Sequence, residues 1–273
     1  FLLFLIIGFR LRTGGDFAPY INTFDRIDRN VIPPNVEFPN FTFESINYFF
    51  SLLNFNIFGV NIFLSSIFTF FLYGFLKNFK NIYFSLVVAF PIIVMVYGIG
   101  SVRQGLALIM FLGIFNFRSE SKKILSLLMG FFFHSSSIIY FFTYFTSKVL
   151  ETKKYVVFIF PLFLLILFLV FDDQYYLYFK FYITQDFFNS AGFFFRNTLT
   201  LICAFIYIYL FFYRTKIINI KFRYPFLIIS FLSIIVFPLG FFYSAPADRI
   251  MAYFLPLKIV LISILYENIS QKY

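Results

Sequence analysis

A small set of polar residues in this chain has the chemistry and the setting to act on an anionic substrate: Arg10, Arg12, Asp16, Arg103, Gln104, His134, Ser135, Asp248 and Arg249. Arg103 and Gln104 follow Ser101, a fair N-cap, so both fall in the first turn of a predicted helix from about Val102 to Phe117. A guanidinium fork beside free backbone N–H groups, at the positive end of a helix dipole, suits phosphate oxygens. The plain alternative is an arginine reaching to lipid headgroups. Asp248-Arg249 is read the same way, at the head of the last helix, with an ion pair inside the turn as its alternative. Arg10 and Arg12 would stand at the outer end of a first membrane helix, against the usual preference for basic residues inside. An anionic partner would compensate that placement; so would pairing with Asp16. His134 is the sole histidine and is followed by Ser135, Ser136 and Ser137. Its ordinary pKa of about 6.5 suits a general base for a substrate hydroxyl, and Asp16 is the rival base.

What the residues exclude is as informative. One histidine, the lone Cys203 and no clustered acidic motif give no basis for a bound metal, and no cofactor is expected. There is no Gly-Lys phosphate loop, no G-x-S-x-G nucleophile elbow and no dinucleotide fingerprint.

The elements that must carry these groups are membrane helices. Of 273 residues, 61% are hydrophobic and 12% charged, with mean hydropathy +0.88. Soluble domains carry about 25% charged residues, so this chain lacks the polar surface for water. Several apolar runs approach or exceed the roughly 18–20 residues that cross a hydrocarbon core. The formal charge of +10 sits in short loops between those runs, which reads as charge that sets orientation on the cytoplasmic side and argues against nucleic acid. The fifty-one phenylalanines serve as lipid-facing bulk.

In chain order, the opening FLLFLIIGF reads as the tail of a first transmembrane helix that begins ahead of this sequence. Residues 10–45 form an external loop in which Gly14-Gly15-Asp16 makes a tight turn. Asp16, Tyr20 and Phe24 recur at helical spacing, so a short interfacial helix follows, and residues 44–55 form another interfacial segment. Spans are predicted at 56–76 and 81–96, the second broken by Gly98 and Gly100. Further spans are predicted at 155–171, 197–213, 225–242 and 250–266. Residues 172–196 form an external aromatic loop along the interface, and 243–249 a short external turn. Lys258, mid-helix, reads as snorkelling or packed between helices.

Residues 124–147 decide the topology. As one span they would turn every later basic loop, including Arg214–Arg223, to the outside. Entering and returning as two half-helices, with His134–Ser137 at the turn, they leave all those loops inside, as the positive-inside rule favours. A polar turn at membrane depth must line a cavity in the protein. The expected fold is therefore a single all-α, polytopic transmembrane bundle of about eight to ten membrane segments, one of them a re-entrant helical hairpin. The Arg10–Asp16 turn, the aromatic loop and the Asp248-Arg249 turn are expected to meet Arg103 at the outer face.

Four motifs, in order, carry a resemblance: R-x-R-T-G-G-D-F-x-x-Y at Arg10–Tyr20, GIGSVRQGLALIM at Gly98–Met110, FFFHSSSIIY at Phe131–Tyr140 and DRIMAYF at Asp248–Phe254. The chain resembles the EpsG family, Wzy-like bacterial membrane proteins associated with exopolysaccharide and O-antigen polymerisation. The resemblance implies a GT-C-like membrane glycosyltransferase of the bacterial cytoplasmic membrane. Such an enzyme transfers a growing glycan from undecaprenyl diphosphate to another lipid-linked repeat unit. It implies membrane lipids, a chain-length regulator and a flippase as partners. On that reading Arg103, Arg249, Arg10 and Arg12 hold the diphosphate, Gln104, Ser135 and Asp248 orient the substrate, and His134 or Asp16 is the base. A ligase acting on the same lipid carrier, and a flippase or transporter of lipid-linked sugars, are the alternative functions.

Overall fold

The computed structural model describes residues 1–10, 13, 14, 16–28, 41–152, 190 and 192–270. Arg12, the span expected at 155–171 and most of the loop expected at 172–196 lie outside the described residues. The described residues are helical, with no strand among them, and the chain divides into two compact units, Phe1–Tyr140 and Phe141–Tyr273.

In the first unit, α1 (Leu2–Gly8) packs on α4 (Ile57–Leu76), while α2 (Phe17–Asp28) and α3 (Phe41–Leu52) pack on one another. The start of α4 is set by Asn56, whose extended backbone and Oδ1, accepting from the Phe58 N–H at 3.1 Å, form an N-cap. Asn81 does the same for α5 (Ile82–Ala89) through the Phe84 N–H at 2.9 Å. That helix does not break at Gly98 and Gly100 as expected; it continues as a π-helix from Phe90 to Gly100. Pro91, which has no N–H to give, opens the wider turn, and the Ser101 N–H closes it on the Val96 carbonyl at 2.9 Å. Gly98 serves packing instead: a β-carbon there would come within 3.2 Å of Ile7 and Phe68.

Beyond Ser101 run α6 (Val102–Gly113) and, after a basic turn, α7 (Glu120–Phe133). Ser126 Oγ donates to the Met110 carbonyl at 2.7 Å, and Gly130 lies against Ala107, so the two helices are antiparallel. The expected break follows at once. His134 is extended (φ −157°, ψ 115°), Ser135–Ser137 make a 3₁₀ turn, and α8 (Ile138–Thr152) begins.

The second unit is built on α9 (Phe193–Tyr213) and α10 (Ile220–Val236), joined by the buried Tyr207 hydroxyl donating to the Phe222 carbonyl at 2.8 Å. Helix α9 starts at Phe193, so Arg196 belongs to its first turn and not to the loop before it. The segment expected as an external turn is helix α11 (Ser244–Met251), since Pro246 sits where a first helical turn tolerates proline. A 3₁₀ turn and α12 (Pro256–Ser270) follow, bent by 42° at the junction. Asp248-Arg249 therefore closes α11 and does not head the last helix. Among the described residues, Ile57–Leu76, Ile82–Gly100, Phe193–Tyr213 and Ile220–Phe241 are long and apolar enough to cross a membrane, and the bent pair makes a fifth.

Candidate functional site

In the first unit, Arg10, Gly14 and Asp16 lie at the junction of the π-helix with α6. Gly14 has φ +89°, open to glycine and strained for any other residue, and its backbone lies directly on Gly100. Arg10 is 4% exposed. Its Nη1 donates to the Ile99 carbonyl at 2.7 Å and its Nη2 to Asn61 Oδ1 at 3.0 Å. The expected alternative, a pair between Arg10 and Asp16, is not formed. Instead the guanidinium caps a carbonyl at the end of the π-helix. Burial pushes its pKa down to about 10, against the raising fields of Tyr20 and Asp16, so it stays charged near neutrality.

Tyr20 organises what lies beyond. Its hydroxyl donates to Asp16 Oδ2 at 3.1 Å and accepts a long 3.4 Å bond from the backbone N–H of Arg103. Both guanidiniums lie over its ring, Arg10 at 5.7 Å and Arg103 at 5.5 Å from the centroid. Arg103 also lies 5.8 Å over Phe43, whose ring is 4.6 Å from that of Tyr20. Burial, then the charge of Asp16, raises the Tyr20 pKa, and Arg103 opposes them. The hydroxyl therefore stays protonated and its one hydrogen is available to the carboxylate. The amide of Arg103, expected to be open to a ligand, is spent on Tyr20, and its half-buried side chain carries the guanidinium over the Tyr20 and Phe43 rings.

Gln104 shares the first turn of α6 and is half-buried, as are His134 and Ser135. The antiparallel register of α6 and α7 sets their level. Met110 faces Ser126 and Ala107 faces Gly130, so continuing the same register brings His134 level with Arg103. Gly105 lets α6 start tight under the π-helix, because a side chain there would strike the Tyr97 carbonyl. One end of the first unit thus gathers Arg10, Asp16, Tyr20, Phe43, Arg103 and Gln104, with His134 and Ser135 at the same height.

In the second unit, Asp248 does not pair inside its own turn. It accepts from Arg196, from Asn197 Nδ2 at 2.8 Å and from Ser190 Oγ at 2.8 Å. Beyond the bend, Lys258 is 4% exposed and its Nζ donates to the Arg196 carbonyl at 2.9 Å. The bent helix is thus tied to one turn of α9 on both sides of its break, which fixes the backbone that carries the exposed Arg249. No group of three or more His, Cys, Asp or Glu able to hold a metal occurs among the described residues.

Sequence reasoning missed Tyr20 and Arg196. Tyr20 stood out only by its spacing from Asp16, and Arg196 was read into a loop. The one available signal was the i, i+4 step from Asp16 to Tyr20 on a helix with a polar face.

The chain belongs to the EpsG family: the model of that family matches residues 1–273, the whole chain. It is a polysaccharide-polymerase-like, multi-pass membrane protein. No curated protein and no solved structure matches it.

Proposed function

From membership of the EpsG family we propose that this protein polymerises lipid-linked oligosaccharide repeat units at the outer face of the bacterial cytoplasmic membrane. A glycan leaves undecaprenyl diphosphate and joins a hydroxyl of another repeat unit. The acceptor oxygen bonds to the anomeric carbon as the bond from that carbon to the diphosphate breaks. The hydroxyl proton goes to a base, and the diphosphate departs with the bonding electron pair. The protein must therefore set a fixed positive charge beside the leaving phosphates and a base beside the acceptor.

The observation that carries this reading is the cluster at Tyr20, where the guanidinium of Arg103 and the carboxylate of Asp16 are tied to one buried side chain. Arg103 stabilises the charge that develops on the diphosphate, and the buried Arg10 adds its field from behind the ring. Gln104 and Ser135 orient the sugars. Asp16 and His134 are the two groups at that end able to take the proton. In the second unit the exposed Arg249 offers another guanidinium to phosphate, and Asp248, through Arg196 and Asn197, holds the helix end in place.

The test is genetic and chemical. In a strain lacking its own polymerase, the wild-type chain restores long glycan, whereas Arg103→Ala and Arg249→Ala leave single repeat units on the lipid carrier. Long glycan of normal length and amount from both variants would defeat the assignment.

A further inference from the structure

We propose that Tyr20 is a positioning residue for catalysis, and that it acts by aiming Asp16 as the base that takes the acceptor's proton. This rests on the polymerase reading above and adds to it a choice between the two candidate bases and a residue that sets its geometry.

A tyrosine hydroxyl has one hydrogen to give and can accept as well. At Tyr20 the accepting side is filled by the Arg103 amide, which belongs to a helix start and cannot turn away. The hydrogen is therefore directed to Asp16 Oδ2. That bond holds the carboxylate by one oxygen and leaves Oδ1 with no partner among the described residues, on a half-exposed side chain. A base needs this geometry: fixed by one oxygen, open at the other. The ring is fixed as firmly as the hydroxyl. It is 3% exposed, meets Phe43 at 4.6 Å and lies under both guanidiniums. One side chain thus couples the backbone that carries the phosphate-binding Arg103 to the carboxylate that would take the proton, and the distance between the two is set by the length of a tyrosine.

The reaction places the same demand on the site. Transfer requires the acceptor hydroxyl and the departing diphosphate to be held on either side of one carbon, so base and guanidinium must keep a fixed spacing. A rigid aromatic spacer between them meets that need better than two independent side chains, each with its own rotamer freedom.

The experiment is a double-mutant cycle in proteoliposomes. The full chain is supplied with lipid-linked repeat units extracted from a strain without a polymerase, and the initial rate of long-glycan formation is followed. Tyr20→Phe removes the hydroxyl and keeps the ring. It is expected to lower turnover about tenfold with KM within about twofold, and Asp16→Ala to lower turnover about a hundredfold, the lower end for a lost general base. The double variant is expected to be no slower than Asp16→Ala alone, because the hydroxyl then has nothing left to aim. Losses that multiply would show Tyr20 acting on the fold at large and would overturn the proposal. So would a wild-type rate from Tyr20→Phe, or from Asp16→Ala, which would pass the base role to His134. If Tyr20→Phe yields little folded protein, Asp16→Glu in the wild-type background replaces it. That variant keeps the carboxylate but displaces it by a methylene, and a wild-type rate from it also overturns the proposal. The wild-type chain in the same assay separates the two levels: no long glycan from it removes the polymerase reading, while wild-type polymer beside a cycle whose losses multiply removes only the role of Tyr20.

Discussion

The α-carbon of Gly100 occupies the space that a side chain on Gly14 would need. A β-carbon at Gly14 would lie 2.6 Å from that atom and 2.9 Å from the Ile99 carbonyl oxygen. The obstacle is backbone, which cannot swing aside, and Gly14 also has φ +89°. The relationship is one-sided, for a β-carbon on Gly100 meets nothing nearer than the Met95 carbonyl at 3.9 Å.

Gly14→Ala is therefore expected to destabilise the first unit by more than about 2 kcal/mol, combining the left-handed conformation with the clash. Gly100→Ala is expected to change stability by less than about 1 kcal/mol. Thermal unfolding of the purified chain in detergent, followed by loss of the monodisperse peak, compares the two. Equal behaviour of the two variants would mean that Gly14 does not sit on the end of the π-helix.

Gly105 makes the same kind of argument for the start of α6. A side chain there would come 2.7 Å from the Tyr97 carbonyl carbon, so Gly105→Ala must push α6 away from the π-helix. Arg103, two residues earlier, would move with it, off the Tyr20 hydroxyl. At Gly130, on the other helix of the pair, an added β-carbon would be 3.2 Å from the Ala107 oxygen and Met110 Cβ, a shortfall of a few tenths of an ångström. Gly105→Ala is expected to abolish long-glycan synthesis, and Gly130→Ala to retain at least about a third of it, an under-1 kcal/mol effect. Glycan length on a gel, normalised to protein in the membrane, decides.

Part of this was legible beforehand, and the legible parts share a cause. Asn56 opening α4, Ser101 ahead of α6, the break at His134 and the turn at Gly14 all depend on a residue and its near neighbours. The illegible parts are those where neighbours give the wrong answer or none. Pro91 lies inside the span predicted at 81–96, and nothing in its neighbours marks the π-helix that opens there and carries the chain past Gly98 and Gly100. Pro246 reads as a turn, yet it falls in a first helical turn where its missing N–H costs nothing, and this moved Asp248 and Arg249 from the head of one helix to the end of another. Ser101 holds the N-cap position without its side chain capping anything, since a tyrosine 83 residues away takes the next amide. Neither composition nor period reveals a contact over that separation.

Lys258 offers a test of what the polar groups in the second unit contribute. Its ammonium is buried with the Arg196 carbonyl as its acceptor, and no carboxylate lies within ion-pair distance among the described residues. Desolvating a cation against a neutral acceptor is costly. Lys258→Met, of similar length and without charge, is expected to leave the unit as stable or up to about 2 kcal/mol more stable. Asp248→Ala removes the acceptor of three hydrogen bonds at once and is expected to destabilise by about 1–3 kcal/mol. Unfolding temperatures in detergent that fall for both variants alike would show that Lys258 holds the bend in α11–α12 as firmly as Asp248 does.

The lengths of α7 and α8 bear on the re-entrant topology expected of residues 124–147. They have 14 and 15 residues, about 21 and 22 Å of helix at 1.5 Å per residue, and each falls short of a hydrocarbon core of about 30 Å. Joined end to end they would exceed it, and Lys122-Lys123 at one end and Lys148 at the other would then face opposite sides. The break at His134–Ser137 stands midway, with the buried Ser137 Oγ lacking a partner among the described residues. Two half-helices that entered and returned would satisfy the positive-inside preference at both ends and would need a protein cavity to solvate the polar turn. Single cysteines at Ser121 and Thr152, both exposed, are therefore expected to react with a membrane-impermeant maleimide from the same, cytoplasmic side, in inside-out vesicles and not in intact cells. The native Cys203 is buried and gives the background. Labelling of one site in intact cells and of the other only in inverted vesicles would establish a single crossing and invert every loop that follows.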